Sequence, residues 1–220
     1  MNTPIIRLRD ISFSYDKKVV LNGLNLDIYE GDRIGLIGPN GSGKTTLLYI
    51  TMGLLKPNSG IVEIFGKIRQ KKKDFIEVRK KIGLLFQDSD SQLFCPTVKE
   101  DIAFGPLNLG KKKEEVIKIV DETCEVLGIK ELKDRVTYKL SGGEKRLVAF
   151  ATVIAMKPIC YLLDEPSSGL DERTTERVLN YLRDNAKTYL IVSHDRDFIK
   201  RATDKIYILE HGKILERENP

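Results

Sequence analysis

A chain of 220 residues, 41% hydrophobic and 31% charged, has material for one large domain, or for a core carrying an inserted subdomain. Its 37 lysines and arginines against 32 acids leave a formal charge of only +5, which excludes a nucleic-acid-binding tail and predicts no nucleic-acid partner. The nearest thing to a membrane segment, Leu147 to Met156, is interrupted by Thr152 and falls well short of the ~18 apolar residues a spanning helix needs. The residues before Arg7 to Asp10 lack an apolar core of signal-peptide type, so nothing there marks the chain for export. Cys95, Cys124 and Cys160 match neither a CxxC nor a zinc spacing, which predicts a reducing cytosol and no structural metal.

In chain order, Ile11, Phe13 and Tyr15, then Leu24, Leu26 and Ile28, alternate with polar residues as half-buried antiparallel strands do. Arg33 to Ile37 is a short, nearly continuous apolar run and reads as a strand covered on both faces, followed by a Gly-rich turn and a helix over Thr45 to Met52. Ile61 to Phe65 and Ile82 to Phe86 are further strands, separated by the basic stretch Lys67 to Lys81. From about Asp88 to Ile159 the pattern is helical. Thr97 and Glu100 form a capping box, and Val116, Ile119, Val120, Thr123, Cys124 and Leu127 recur at helical spacing until Gly128. Strands return at Ile159 to Leu163, Thr188 to Val192 and Lys205 to Leu209, the last joined to Lys213 to Leu215 through a His211-Gly212 turn. Alternating strands and helices predict an α/β fold with a mostly parallel sheet, an antiparallel β subdomain and an inserted helical subdomain. The expected division is a single domain over 1-220, with 1-87 and 158-220 as core and 88-157 as helical subdomain. The lysine triplets Lys71 to Lys73 and Lys111 to Lys113 read as solvated faces.

Chemistry concentrates at Gly38-Pro39-Asn40-Gly41-Ser42-Gly43-Lys44-Thr45, which matches G-x-x-x-x-G-K-[ST] between a buried strand and a helix. Such a P-loop turns backbone N–H groups and a helix N-terminus toward a polyphosphate. Asn40, Gly41, Ser42, Gly43, Lys44, Thr45 and Thr46 are the expected cradle for ATP. Lys44 reaches the β- and γ-phosphates, and Thr45 offers its hydroxyl to Mg²⁺. Asp164, ending the strand after Pro158, supplies the second magnesium ligand. Its neighbour Glu165 points elsewhere and is the candidate general base for an attacking water. In Leu140-Ser141-Gly142-Gly143-Glu144, Ser141 and Glu144 make a capping box. The same geometry, two glycines at an open helix N-terminus, also makes a second anion site that invites a nucleotide bound to another chain.

With these residues in view, the chain resembles an ABC-type ATPase over nearly its whole length. Leu140 to Glu144 is similar to that family's signature motif, Ser168-Gly169-Leu170-Asp171 to its D-loop, Gln87 to its Q-loop glutamine and His194 to its switch histidine. Tyr15 matches the aromatic position on which adenine stacks. The resemblance implies that two ATPase subunits, identical or different, close head to tail, each ATP lying between one P-loop and the opposite Ser141, Gly142 and Gly143. Under it His194 contacts the γ-phosphate, and Gln87 links metal and water to the partner-facing loop.

Phe86 to Gly110 narrows the resemblance to the ATPase subunits of energy-coupling factor (ECF) importers, which take up vitamins, cobalt or nickel. That implies a transmembrane coupling subunit, a substrate-binding membrane subunit, and a peripheral place on the cytoplasmic face of the cell membrane. A docking surface is expected over Gln87 to Phe94 and the following helix, from exposed Gln92, acidic Asp88 and Asp90, and apolar Leu93 and Phe94. Two departures stand out. Glu144 takes a position where Gln is commoner, adding negative charge near the second phosphate site, and the sequence ends at Pro220 without the C-terminal extension many such subunits carry. The competing reading is a soluble ABC ATPase that powers assembly or repair, although no heptad stretch for a long coiled coil exists. A nucleotide-binding regulator without turnover is disfavoured by the presence of both Glu165 and His194.

Overall fold

The computed structural model describes residues 3–217; the chain end at Pro220 lies outside them. The chain begins with β1 (Ile6–Tyr15), β2 (Lys18–Ile28), β3 (Arg33–Ile37), α1 (Lys44–Thr51), β4 (Ser59–Ile64), β5 (Lys67–Ile68), α2 (Phe75–Lys81) and β6 (Ile82–Leu85). Three helices follow, α3 (Val98–Asn108), α4 (Lys113–Val126) and α5 (Gly142–Ala155). It then returns through β7 (Cys160–Asp164), α6 (Glu172–Asn185), β8 (Tyr189–Val192), α7 (Arg196–Ala202), β9 (Lys205–Glu210) and β10 (Lys213–Arg217).

Two sheets result. β2, β1, β4 and β5 pair antiparallel in that order. The second sheet runs β10, β9, β3, β8, β7, β6, parallel throughout except for the edge strand β10. Alternate residues of its central strands serve two different cores. Ile34, Leu36, Cys160, Leu162, Leu190 and Val192 pack with α1 and the antiparallel sheet, whereas Tyr161, Leu163, Tyr189 and Ile191 pack with the helices after β6. That division explains the continuous apolar runs: a strand with helices or a sheet on both faces has no side left for polar residues.

The antiparallel strands alternate as expected, with breaks of register along β1. Ile6 and Leu8 are buried, then the register shifts before Ile11 and Phe13, with Asp10 at a left-handed φ of 51°. A bulge of this kind adds a residue and returns the apolar side chains to the same face. Tyr15 breaks from that face and lies exposed at the strand's end.

Within the basic stretch, the structure adds β5 and α2, which the sequence pattern did not reveal. Glu77 of α2 holds Lys67, Lys81 and the buried guanidinium of Arg69, so tertiary ion pairs organise a segment whose composition reads as plain surface. In α4 the expected stripe is buried from Val116 to Leu127, and Gly128 takes φ 62° after it. Glu100 accepts the Thr97 N–H at 3.0 Å, as a capping carboxylate should. The His211-Gly212 turn has both residues at positive φ, the geometry that matches the twist of a two-residue hairpin. Among the described residues no helix is long and apolar enough to cross a membrane.

Candidate functional site

Neighbouring strands bring the predicted residues to one edge. Parallel register pairs Leu36 of β3 with Val192 of β8, and Val192 with Asp164 of β7, so the loops leaving these three strands emerge side by side. Ligands of open α/β sheets bind at this carboxyl edge. A cleft of about 330 Å³ opens there, lined by Tyr15, Asn40, Gly41, Gly43, Lys44, Thr45, Thr46, Gln87, Asp164 and Glu165, together with Lys18 and Val20 from the β1–β2 hairpin.

The loop after β3 is shaped for an anion. Gly43, at φ 105°, is the N-cap of α1 and makes no side-chain cap bond, and an added Cβ would meet Val20 at 2.7 Å. The first-turn N–H groups of α1 therefore have no side-chain cap. Gly41, at φ 76°, has open space where a Cβ would stand, and the hydroxyl of Ser42 is buried without a hydrogen-bond partner. An unpaired donor beside an open glycine and an uncapped helix is a fit for phosphate oxygens.

Two buried charges face this loop. Lys44 donates from Nζ to the carbonyls of Gly38 at 2.9 Å and Pro39 at 3.0 Å, and burial pulls its pKa below the usual lysine range. Asp164 accepts a 2.6 Å hydrogen bond from the Thr45 hydroxyl, yet burial outweighs that bond and raises its carboxyl above the ordinary value. A desolvated carboxylate beside a hydroxyl, with Gln87 lining the same cleft, suits a hard divalent cation that takes its remaining ligands from phosphate and water.

Glu165 sits at φ 53°, a left-handed conformation that costs a non-glycine residue on the order of 1 kcal/mol. Glu165 accepts from the Ser193 hydroxyl at 2.8 Å and from the His194 backbone N–H at 3.1 Å, with His194 Nδ1 2.9 Å from its Oε1. The His194 side chain is 72% exposed and sits beside Gly38 and Pro39, at the rim of the cleft and outside its lining.

Ser141, Gly142 and Gly143 do not line the cleft; they open α5 elsewhere on the surface. Ser141 Oγ accepts the Glu144 N–H at 3.3 Å and Glu144 accepts the Ser141 N–H at 2.7 Å, so the capping box is formed. The extra negative charge of Glu144 is met by Arg135 at 2.5 Å. Gly143 lies against the carbonyl of Gly169, where a Cβ would approach to 2.8 Å, which places the segment Ser168 to Asp171 beside the start of α5. Tyr15 turns its hydroxyl to within 3.4 Å of the Thr46 hydroxyl.

The expectation of an exposed Gln92 is corrected. Gln92 is partly buried: Oε1 accepts the Phe86 N–H at 3.0 Å, while Nε2 donates to the Ala149 carbonyl and the Thr152 hydroxyl. Sequence reading also missed Arg146 and Ser193. Arg146 shares a helix face with Phe150, four residues on, so a cation in the buried stripe of α5 was the available signal.

Comparisons with known proteins show the family and the fold. The family described as ABC transporter matches residues 21–168. The energy-coupling factor transporter ATP-binding protein EcfA of Methanocaldococcus jannaschii is 44% identical over 221 residues, covering 98% of this chain and 79% of the relative. A structure of cbiO1 from Clostridium perfringens, part of the ABC transporter complex cbiONQ, superposes with a TM-score of 0.85 at 33% identity, covering 100% of this chain and 90% of that one. A dimeric ATP-binding cassette in a post-hydrolysis state, bound to ADP and Pi, superposes with a TM-score of 0.89 at 26% identity, covering 98% and 99%.

Burial of Asp164 yields a prediction with a definite sign. Its folded pKa lies above the unfolded value, so the folded state gains on protonation, and ionisation at neutral pH works against the fold. Asp164→Asn is expected to raise the thermal midpoint of the nucleotide-free chain at pH 7 by about 2–4 °C. Calorimetry of the two proteins checks this, and the gain should vanish near pH 3, where wild type is also protonated.

Proposed function

Because the chain belongs to the ABC transporter ATP-binding family, we propose that it is the ATP-hydrolysing energy subunit of an ECF-type importer. The observation that carries the reading is the meeting of Lys44, Thr45, Asp164 and Glu165 on one cleft. Similarity to EcfA over almost the whole chain adds the type of transporter. Residues 88-157 act as the helical subdomain of a single domain, the rest as its nucleotide-binding core.

ATP enters with its adenine against Tyr15 and its phosphates in the loop from Asn40 to Thr46. Lys44 exchanges two carbonyl partners for the β- and γ-phosphates, so its positive charge is balanced by phosphate. Thr45, Asp164 and Gln87 would hold Mg²⁺, which when bound neutralises charge on the transferring phosphoryl group. Glu165 accepts the proton of the attacking water once His194 leaves it for the γ-phosphate. Ser193 keeps the carboxylate oriented through that exchange. The half of the site still missing is a donor on the γ-phosphate side. Ser141, Gly142 and Gly143 supply it in trans, from a second cassette paired head to tail, in the simplest assembly a second copy of this chain.

The membrane partner docks at the peripheral, cytoplasmic side of the membrane, on the segment after Gln87. Leu93 is buried and anchors the segment, whereas Phe94 is 64% exposed and stacks edge-on against exposed Phe104 at 4.7 Å. Buried Asp101 accepts the N–H groups of Phe94 and Cys95, which fixes the loop that presents the ring. Asp90 is paired with Lys145 at 2.6 Å, while Asp88 holds Ser91 and the Asp90 N–H. An exposed aromatic pair beside an acidic turn suits a basic, apolar helix of a membrane subunit.

Glu165→Gln is expected to retain ATP binding, lose turnover by at least ~10²-fold and trap a dimer with ATP. Steady-state hydrolysis and light scattering check it, and near-normal turnover would remove Glu165 from the role of base. Phe94→Asp is expected to leave the thermal midpoint and the isolated chain's hydrolysis unchanged, yet to reduce recovery of the chain with membrane components on co-purification; equal recovery would place docking elsewhere.

A further inference from the structure

Arg146 is 2% exposed and lies in the second turn of α5, five residues after Ser141. Its guanidinium donates to three carbonyl oxygens at two strand ends: Phe86 at 2.5 Å and Gln87 at 3.2 Å beyond β6, and Asp164 at the end of β7. Its Nε is buried without a partner. Burial lowers its pKa only to about 10, so it stays charged at neutral pH.

These contacts make a short mechanical path. The carbonyls it holds belong to Asp164 and Gln87, whose side chains line the chain's own ATP cleft. The same helix begins at Ser141, which faces the nucleotide of the other cassette in the head-to-tail pairing proposed above. Five residues of helix span about 7 Å, a stiff lever through one continuous hydrogen-bonded turn. We propose that Arg146 is a positioning residue that couples the two ATP sites, so that closing Ser141 on the partner's nucleotide aligns Asp164 and Gln87 around the chain's own. A planar fork suits this task, because one rigid group fixes the distance between two strand ends and a helix, which a lysine's point charge cannot do. The inference rests on the head-to-tail reading and adds to it the residue through which the sites communicate.

The test compares wild type, Arg146→Met and Arg146→Lys for ATP affinity, turnover and the ATP dependence of the rate, with thermal midpoints recorded for each. Wild type is expected to show a Hill coefficient above one and below two, the number of coupled sites. Arg146→Met should keep ATP affinity within about threefold, since the P-loop is untouched, while turnover falls on the order of 10- to 100-fold and the Hill coefficient drops to about one. Arg146→Lys, which keeps the buried charge and stem, should restore folding fully and cooperativity only in part; it carries the test alone if the Met variant does not fold. Loss of affinity and turnover in step with a lowered midpoint, or an unchanged Hill coefficient in the folded variants, would overturn the proposal. A parallel measurement separates the two layers. If the Glu165→Gln chain forms no dimer with ATP, the head-to-tail reading falls and this inference with it; if the dimer forms and the Hill coefficient ignores Arg146, the inference alone falls.

Discussion

Parallel pairing of β3, β8 and β7 is the constraint on which the site depends. Three loops build it: the P-loop after β3, Asp164 and Glu165 at the end of β7, and Ser193 with His194 after β8. Each loop is short, and none could find the others by itself. In register, the strands bring them together at one edge, and the ladder runs on past β7, where the Glu165 N–H donates to the Val192 carbonyl at 2.7 Å. The two cores that clamp the sheet from opposite faces hold that register, since a slip of one residue would exchange Leu162 for Leu163 and send each into the wrong core.

A fold of this kind stabilises its edge at a cost. Lys44 and Asp164 are both desolvated there, Ser42 has an unused hydroxyl, and Glu165 occupies a strained backbone conformation. Each is unfavourable in the nucleotide-free chain, and in the proposed site each would be relieved or used by a polyphosphate with its cation. The hydrogen bonds that Glu165 makes to Ser193 and His194 have a related meaning. In the proposed mechanism they hold Glu165 in the resting chain until His194 turns to the nucleotide. Ser141, Gly142 and Gly143 lie outside the cleft, as the proposed head-to-tail pairing requires of a helix end that serves another chain's nucleotide.

Much of this was legible in the sequence, for a physical reason. A phosphate loop, a strand-ending carboxylate pair and a capping box are local: backbone conformation and hydrogen bonding over a few residues dictate them, so Gly41, Gly43, Asp164 and Ser141 can be read in place. The parallel sheet was equally readable, because burial on both faces leaves a continuous apolar run such as Arg33 to Ile37. What stayed hidden is long-range. Arg146 looks like a surface charge of a helix until the carbonyls of β6 and β7 are placed beside it. Gln92 reads as exposed until α5 takes its Nε2 and the Phe86 N–H takes its Oε1. The bulge at Asp10 and the helix α2 depend on tertiary partners, the second on the carboxylate of Glu77 gathering three cations.

The central claim is that each chain carries halves of two different ATP sites. It is tested most directly by mixing Lys44→Ala chains with Ser141→Arg chains, both in the Glu165→Gln background so that bound ATP is retained. Alone, either variant damages both sites of its dimer. In a mixed dimer one site collects both lesions and the other is intact, so with random association about half the dimers are mixed and roughly a quarter of all sites should occlude ATP. Recovery of occluded nucleotide near that fraction is the expected result. No recovery in dimers verified to be mixed would contradict the account, since each chain would then be using its own Ser141.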